Sequence, residues 1–399
     1  MGGINGDRLW DDIMFTSQWG GMRGEGREGG MMRLALTDED RMVRDWFCGR
    51  FDGILGVLSG LEVLRSIKES GKKLFCGLTV IDWTNEEGAR FSPGCTGAAV
   101  WSGHTDIVTA HCRKSNWGNS TTLGEELSRI GYRGRLPAHH QANALSSHFE
   151  LHIEQGSRLE TSGQKIGVVN AIQGIRWFHV SVRGERAHSG ATPMTKRADA
   201  LASASRIVLF VEQLCTKNHA FGTVGSLTVA DASPNVISGD VTFSIDLRHP
   251  SESILTDLEN NIRQEMTSIS KGRDGRVVFD MRRIWHSPAR EFDPVMLNCI
   301  EKAAIYRCGS ESQVQRLPSF AGHDSALVAL ADCPTAMIFV PSKSGISHSP
   351  EEWTDKEDCV LGADTLYQAI LNYDDYLRRS YRQRSNARES EPEVFVSSL

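Results

Sequence analysis

The sequence predicts an α/β fold that is interrupted by an inserted α+β domain, and three observations lead to this prediction. A helical pattern over 54–70 is followed by an apolar run of strand length at 74–82, an order typical of a parallel α/β sheet. Between about 173 and 285 the pattern follows the order β-α-β-β-α-β, which defines the ferredoxin-like split unit. After this insertion the α/β pattern returns.

The elements of the α/β part begin with a helix whose predicted N-cap is Thr37. Acidic residues at 38–40 follow in the first turn, where the helix dipole favours them. The helix over 54–70 has apolar residues at helical spacing and stops before Gly71, which suits the C′ position. The later elements are predicted to be a helix at 292–308, a strand at 335–340 and a helix at 358–380.

The insertion is predicted from alternating and helical patterns, with strands at 175–183, 222–230, 239–248 and 275–284 and helices at 197–217 and 252–270. The domain organisation that follows has five segments: a poorly ordered Gly-rich N-terminus at 1–31, the α/β domain at 32–172, the insertion at 173–285, the rest of the α/β domain at 286–383, and a disordered polar tail at 384–399.

Composition and charge exclude several classes of function. The net charge of −6 gives no basic surface for nucleic acid or an anionic membrane. No apolar run is long enough to span a bilayer. The nine cysteines are scattered, without a CxxC pair, which is typical of reduced thiols in a cytoplasmic protein.

Four short stretches carry residues that could do chemistry. Each also has a plainer interpretation when taken alone. Asp52 precedes an apolar helix and could be its N-cap, and the adjacent acids Glu86 and Glu87 could form a solvated turn. In an extended segment, Glu150, His152 and Glu154 would share one face, as in a surface strand. His348 could be an isolated loop residue.

Together these stretches indicate a dinuclear metal site. Such a site takes Asp, Glu and His ligands from separate strand ends, and an uncoordinated Glu accepts the proton of the bridging water. Ligands that follow strands also agree with the rule that α/β proteins bind at the carboxyl ends of their strands.

Eight motifs occur in an order that resembles one enzyme family. They are GRFDGILGVLSGLE, TNEEGARFSPGCTGA, FELHIEQGSRLE, VRGERAHSGATPM, PNVISG, DLRHP, AGHDSA and SGISHSPEE, and the resemblance covers about residues 49–380. The chain resembles the zinc-dependent N-carbamoyl-L-amino-acid amidohydrolases, with β-ureidopropionase and allantoate amidohydrolase, in the aminoacylase/carboxypeptidase G superfamily. The resemblance implies a zinc-exopeptidase-like catalytic domain, with the insertion as a lid and dimerisation domain.

The resemblance also implies the roles of the metal-site residues. Asp52 would bridge two ions, and Glu87 and His348 would bind one of them. His152 would bind the other ion, and Glu86 would act as general base. The expected cofactors are two divalent ions, with zinc as the family's metal, although manganese, cobalt and nickel also accept such N/O sites.

Five further residues are expected at the substrate. His188 would reach the site of a neighbouring subunit in a homodimer and polarise the scissile carbonyl. Asn235 and Arg248 would bind the carboxylate of a ureido acid, since the planar fork of an arginine suits a carboxylate. Gln155 and His323 are further candidates for the pocket. Taken alone, Arg248 could be a strand-end salt bridge and His188 a turn residue.

One segment departs from the family pattern. In the family, a strand ending in His-x-Asp precedes the bridging Asp, and its His is a metal ligand. Here residues 41–48 have a helical pattern that runs directly into Gly49, and no His occurs before His104. About 30 residues or more, the size of such a unit, are therefore expected to be absent.

This departure has consequences for the metal site. We expect the ion at His152 to lack a ligand, while Asp52, Glu87 and His348 hold one ion. Loss of the first strands of a parallel sheet would also expose edges and apolar faces. The sequence is family-like on both sides of the Cys48–Gly49 junction, which favours a mis-joined gene model or splice variant of an active enzyme. The alternative is a genuinely shortened, inactive protein.

Three functions stay open at this point. The first is an amidohydrolase that converts N-carbamoyl amino acids to amino acid, CO2 and ammonia. The second is an aminoacylase or dipeptidase of the same superfamily, which would hydrolyse acyl amino acids and not ureido acids. The third is a non-enzymatic dimer, for which the missing His-x-Asp argues.

Overall fold

The computed structural model describes residues 3–16, 35–38, 54–118, 120–230, 232–349 and 351–389. Two compact units contain them. The first unit comprises Met1–Asn170, Phe292–Leu317 and His323–Leu399, and the second comprises Ala171–Glu291 and Pro318–Gly322. Within the described part of the chain, no helix combines the length and the apolar composition that a membrane crossing needs.

The described helices are α1 Gly6–Thr16, α2 Ile54–Glu69, α3 Thr96–Trp101, α4 Ile107–His111, α5 Leu123–Arg129, α6 Arg158–Ser162, α7 Ala200–Lys217, α8 Glu252–Lys271, α9 Pro294–Cys308, α10 Asp324–Leu330 and α11 Lys356–Glu389. The described strands are β1 His148–Ile153, β2 Ile166–Ile172, β3 Gly174–Arg183, β4 Ala187–His188, β5 Phe221–Thr223, β6 Leu227–Val229, β7 Val236–Ile237, β8 Asp240–His249, β9 Val278–Ser287, β10 Arg290–Glu291, β11 Val314–Ser319 and β12 Thr335–Val340.

The sheet of the first unit is built around β12. All six residues of β12 are buried, as expected for a strand of continuous apolar sequence inside a sheet. β12 pairs in parallel with β1, from His148↔Thr335 to Ile153↔Val340, and antiparallel with β2. α2 lies close to β1, since a side chain at Gly56 would come within 2.8 Å of the Leu151 carbonyl oxygen. This packing fixes the strand that carries His152.

The strand predicted at 74–82 is absent from the structure. Residues 74–80 alternate between half-buried and exposed positions, which is the period of a strand. A strand also needs a hydrogen-bonded neighbour, and residues 74–81 form no main-chain hydrogen bond with the main chain of another described residue. The amides of Phe75 and Cys76 instead donate to Asp374 Oδ1, at 2.6 and 3.0 Å. The prediction was wrong because the segment has strand periodicity without a partner.

The predicted disorder of residues 1–31 is wrong for residues 6–16, which form α1. Leu9 of this helix is fully buried. Its neighbour Arg8 forms ion pairs with Glu62 and Glu69 of α2, each at 2.7 Å. The Gly-rich composition of residues 1–31 gave no sign of this helix. The residues that bind it lie about 50 residues or more further along the chain, so the local sequence does not show them. Residues 17–31 lie outside the described residues.

The last helix is longer than the helix predicted at 358–380. Helix α11 continues to Glu389, so helical backbone replaces the first part of the tail predicted at 384–399. Residues 390–399, and nearly all of the helix predicted after Thr37, lie outside the described residues.

The second unit confirms the predicted β-α-β-β-α-β order. Its antiparallel sheet has the strand order β5-β8-β3-β9, and β6 also pairs with β8. The strand predicted at 222–230 is therefore two short strands, β5 and β6. Helices α7 and α8 pack on this sheet around a core that includes Phe178, Phe243, Ile207 and Ile262. The Asp199 side chain caps α7 by accepting a hydrogen bond from the amide of Ala202 at 3.0 Å.

Candidate metal centre and substrate-binding residues

The loop after residues 74–82 presents two adjacent carboxylates, and its shape is fixed from within. Asn85 is buried with a left-handed backbone, φ 58°. Its Nδ2 donates to Phe91 O at 2.7 Å and to Thr96 Oγ1 at 2.8 Å. The returning chain passes so close that a side chain at Gly94 would lie 2.2 Å from Glu86 O. The loop therefore holds Glu86 on a closely packed backbone.

Glu86, His152 and His323 meet in the first unit. One potential ligand atom from each of these residues lies within 4.8 Å of the others. Glu86 and His152 are half-buried and His323 is buried. One carboxylate and two imidazoles at this spacing form a donor set that suits a divalent ion such as zinc.

The ring of His152 is oriented by its own strand end. Its Nδ1 lies 2.8 Å from the carbonyl oxygen of Ile153. A carbonyl oxygen only accepts, so this contact places the proton on Nδ1 and leaves the lone pair on Nε2. Metal-binding histidines typically make such a contact through the nitrogen that does not face the ion. The predicted role of His152 as a ligand agrees with this geometry.

His323 lies beside His152 at the N-terminus of α10. The two ring centroids are 4.5 Å apart in an edge-on arrangement. Burial, with a smaller contribution from His152, holds the pKa of His323 well below its usual range, so the ring is neutral. Its Nδ1 is 3.7 Å from Glu150 Oε1. Glu150 Oε2 in turn accepts hydrogen bonds from the amide and hydroxyl of Ser325, at 3.0 and 2.7 Å.

Glu87 and His348 form a second, exposed pair. Glu87 Oε2 is 3.0 Å from His348 Nε2. The hydrogen bond from His348 is the main cause that lowers the pKa of Glu87 below its ordinary value. The structure also places Gln155 here, with Nε2 at 3.3 Å from the same ring nitrogen. It thus brings together two predicted ligands and one predicted pocket residue.

The pKa of a buried thiol reflects the carboxylates around this site. Burial is the main cause that raises the pKa of Cys95 well above the ordinary value, and the charges of Asp324, Glu86, Glu150 and Glu87 add to it. Carboxylates gathered around imidazoles need a cation to offset their repulsion. The residues present therefore fit a divalent metal ion. The remaining predicted ligand, Asp52, lies outside the described residues.

In the second unit, His188 projects from a two-stranded ribbon. Strand β4 pairs with β7, with His188 opposite Val236. The exposed ring accepts hydrogen bonds at Nδ1 from the amides of Gly190 and Ala191, at 3.1 and 3.2 Å. Because Nδ1 accepts, the proton of the neutral ring is on Nε2. The ring thus presents an N–H donor to solvent.

Asn235 belongs to the same ribbon. Its carbonyl oxygen accepts from the amide of Ser189 at 3.0 Å, and its Oδ1 accepts from Ser233 Oγ at 2.8 Å. The side-chain NH2 of Asn235 is therefore the group with which it could bind an acceptor. The structure brings this residue next to the loop of His188, as a shared substrate role requires.

Arg248 is already bound within the second unit. Its Nε and Nη2 face the carboxylate of Asp246, at 3.0 and 2.8 Å, and its Nη1 donates to Phe320 O at 2.9 Å. The strand-end salt bridge that the sequence left open is therefore present. Any substrate carboxylate at Arg248 would use the remaining hydrogens of Nη1 and Nη2.

Glu150 and Ser325 are site residues that the sequence did not assign. Glu150 shares the strand face of His152, and this spacing was visible in the sequence. Ser325 follows His323 in the AGHDSA motif, but 175 residues separate it from Glu150. Only the folded structure shows that the two are hydrogen-bonded.

Residues 37–372 match the model of peptidase family M20/M25/M40. The chain belongs to this family. It is 34% identical to the N-carbamoyl-L-amino-acid amidohydrolase of Rhizobium meliloti, over 92% of this chain and 96% of that protein. It is 31% identical to the allantoate amidohydrolase of Bacillus subtilis, over 80% and 76% of the two chains.

A solved structure supports the same assignment. A hydantoinase/carbamoylase family amidase from Burkholderia vietnamiensis superimposes with a TM-score of 0.79 and 34% identity, covering 92% of this chain and 97% of that chain. The prediction from the motifs that the chain is a member of an amidohydrolase family is confirmed, and so is its fold class.

The alignment with the Rhizobium meliloti protein also contains a length difference. The alignment has 415 positions, but only 92% of the 399 residues of this chain lie in it. About 48 of the aligned positions therefore contain no residue of this chain. The relative therefore has residues at these positions where this chain has none. The difference is large enough to include a strand-containing unit of about 30 residues, the size expected to be missing before Gly49.

Proposed function

We propose that this protein is a metal-dependent amidohydrolase that cleaves the ureido group of N-carbamoyl amino acids, giving amino acid, CO2 and ammonia. The observation that carries the proposal is the convergence of Glu86, His152 and His323 beside the Glu87–His348 pair. The similarity to an N-carbamoyl-L-amino-acid amidohydrolase over nearly the whole chain supports the substrate class.

Glu87 and His348 would hold one ion and His152 the other, with Asp52 as the predicted bridging ligand. A divalent ion at such a site supplies a water molecule that loses its proton near neutral pH. Glu86 would accept this proton through its carboxylate and deliver it to the leaving nitrogen. Ammonia would depart as a neutral molecule, and the N-carboxy amino acid left behind would break down to amino acid and CO2. The number of ions is part of the proposal: two in the family's complete site, and one in this shortened chain.

His188 would stabilise the negative charge that develops on the ureido oxygen. Its Nε2–H is the free donor of a ring whose Nδ1 is held by two amides, and a preoriented donor favours the transition state over the ground state. We infer that it acts on the site of a second subunit in a homodimer. Asn235, Arg248 and Gln155 would bind the rest of the substrate. We also propose a cytoplasmic location, in line with the scattered thiols, all free among the described cysteines.

A non-catalytic protein is the second candidate, and two observations favour it. Residues 74–81 have no main-chain hydrogen-bond partner in the main chain of the described residues, and the alignment with the Rhizobium meliloti protein has about 48 positions at which this chain has no residue. A site without its full set of ligands could bind metal weakly or only one ion.

Hydrolysis of a substrate panel tests the proposal, measured as ammonia release for the ureido substrates and as release of free amino acid for the N-acetyl amino acids. The panel would contain N-carbamoyl amino acids, 3-ureidopropionate, allantoate and N-acetyl amino acids, with Zn²⁺ or Mn²⁺ added, for a chain with a family-like His-x-Asp segment restored between Cys48 and Gly49. We expect ureido acids to be hydrolysed and acyl amino acids not to be. Glu86→Gln in the same chain should lower kcat by about 10²- to 10⁴-fold, because it removes the proton acceptor.

Hydrolysis of acyl amino acids alone would replace this function by that of an aminoacylase. An unchanged kcat in Glu86→Gln would show that Glu86 is not the proton acceptor. If no substrate is hydrolysed, the result would favour a non-catalytic protein.

A further inference from the structure

The loop that carries His188 is a tight turn that ends four residues later. The amide and the hydroxyl of Thr192 both donate to the carbonyl oxygen of His188, at 3.2 and 2.9 Å. Within the turn, the amides of Gly190 and Ala191 point at the imidazole Nδ1. The tautomer of His188 thus depends on the orientation of two peptide groups, and these belong to an exposed turn rather than to a helix or a sheet.

Arg197 holds this turn from outside. Its Nη2 donates to Ser189 O at 2.5 Å, and its Nε donates to Thr192 O at 3.1 Å. The guanidinium therefore joins the beginning and the end of the turn. Bonds from a permanently charged, planar group to two carbonyl oxygens are stronger and better directed than those between neutral partners.

One peptide plane connects Arg197 to His188. The carbonyl of Ser189 and the amide of Gly190 belong to the same trans peptide, so they point in opposite directions. Arg197 binds the carbonyl end, and His188 Nδ1 receives the amide end at 3.1 Å. If this plane rotated, Nδ1 would lose a donor, and the preference for the proton on Nε2 would weaken.

The position of Arg197 is itself fixed in the second unit. Its carbonyl oxygen accepts from Arg273 Nη1 at 3.0 Å. The next residue, Ala198, is buried, and its carbonyl oxygen accepts from the amide of Glu185 at 2.8 Å. Arg197 therefore extends from an anchored backbone to the exposed turn.

We propose that Arg197 is a positioning residue that sets the tautomer and orientation of His188. It acts through the Ser189–Gly190 peptide and does not touch substrate. This inference rests on the proposed function only for its catalytic consequence, because the effect on the ring exists in the protein without substrate.

The test is the nitrogen NMR spectrum of the imidazole rings in Arg197→Gln. The His188 signals are assigned by their loss in His188→Gln. We expect the unmodified chain to show His188 with the proton on Nε2, and Arg197→Gln to show a mixture of tautomers. Arg276→Gln is the matched control, since Arg276 donates to Lys196 O in the same region but makes no contact with the turn. Arg197→Lys keeps the charge but has a single donor group, so its tautomer mixture at His188 should lie between those of the unmodified chain and Arg197→Gln. This variant replaces Arg197→Gln if the glutamine variant does not fold.

Kinetics of the chain with the restored segment separate this inference from the proposed function. Arg197→Gln should lower kcat roughly 10- to 100-fold with little change in KM, less than the 10²- to 10³-fold loss typical of removing a donor outright. A tautomer that stays unchanged in folded Arg197 variants overturns the inference, whatever the activity. A changed tautomer in a chain that hydrolyses no ureido acid supports the inference and contradicts the proposed function.

Discussion

His152, His323 and Glu150 show how far single residues could be predicted. The role of His152 as a ligand was implied by the family resemblance, since its spacing alone suited a surface strand equally well, and the structure adds the Ile153 carbonyl that orients its ring. His323 was expected in the substrate pocket, but it lies in the same cluster as Glu86 and His152. Its neighbourhood depends on contacts across the sheet, such as the one to Glu150, and these have no signature in the sequence.

At this scale we predict that His152→Ala, made in the chain with the restored His-x-Asp segment, removes one of the two bound ions. The variant loses an imidazole that is already oriented for binding, and the remaining ligands do not complete the donor set. The measurement is the metal-to-protein ratio after dialysis against a weak chelator. His219→Ala, at an exposed position of the second unit, is the control and should keep its metal. Equal metal content in the restored chain with and without His152→Ala would exclude His152 as a ligand.

At the scale of elements, local sequence pattern was a good guide where partners are near in sequence or the apolar pattern is continuous. β12 and the strands and helices of the second unit are examples. The pattern failed for α1, whose partners are distant charges on α2. It also failed for the strand predicted at 74–82: residues 74–80 have the period of a strand, but residues 74–81 form no main-chain hydrogen bond with the main chain of another described residue.

The packing of α1 can be tested with Leu9→Ala. Leu9 is fully buried, so the substitution should lower the free energy of unfolding by about 2–5 kcal/mol through lost burial and a cavity. Urea unfolding measures the change. Met14→Ala, on the same helix but 42% exposed, should change the free energy of unfolding by less than about 1 kcal/mol. Equal effects of the two substitutions would show that α1 does not pack as described.

Helix α8 gives a prediction about pH. Glu259 accepts hydrogen bonds from Arg176 on β3 and Arg283 on β9. Burial raises its pKa, but hydrogen bonds from Arg283 and Arg263 outweigh this, and the pKa lies below the ordinary 4.5. A carboxyl whose pKa is lowered by folding stabilises the protein above its unfolded pKa, and this contribution is lost as the pH falls through the folded pKa.

We therefore expect Glu259→Gln to destabilise the protein by about 2 kcal/mol at pH 7 and by clearly less at pH 3, because the protonated glutamic acid resembles glutamine. Urea unfolding at both pH values gives the difference between variant and unmodified chain. The control is Glu265→Gln on the same helix, whose partner Arg206 is 3.7 Å away and largely exposed. A loss for Glu259→Gln that is independent of pH would contradict the assigned cause.

At the scale of the whole molecule, the family motifs predicted the fold class, and the comparisons confirm it. The sequence departs from the family pattern before Gly49, where a His-x-Asp segment is expected. Two observations agree with this expectation. Residues 74–81 form no main-chain hydrogen bond with the main chain of another described residue, and the alignment with the Rhizobium meliloti protein has about 48 positions at which this chain has no residue. A strand in the restored segment would give residues 74–81 a hydrogen-bonded neighbour. It would also bring the His-x-Asp ligand to the metal centre.

The most direct measurement is ammonia release from an N-carbamoyl amino acid, with the unmodified chain and the chain with the restored segment run side by side in Zn²⁺ or Mn²⁺. We predict that the restored chain releases ammonia and that the unmodified chain is slower by at least about 10²-fold, since we expect the unmodified chain to lack a metal ligand. Equal activity of both chains would show that the ligands already present suffice and that the gap has no catalytic consequence. No ammonia from either chain would contradict the proposed function itself.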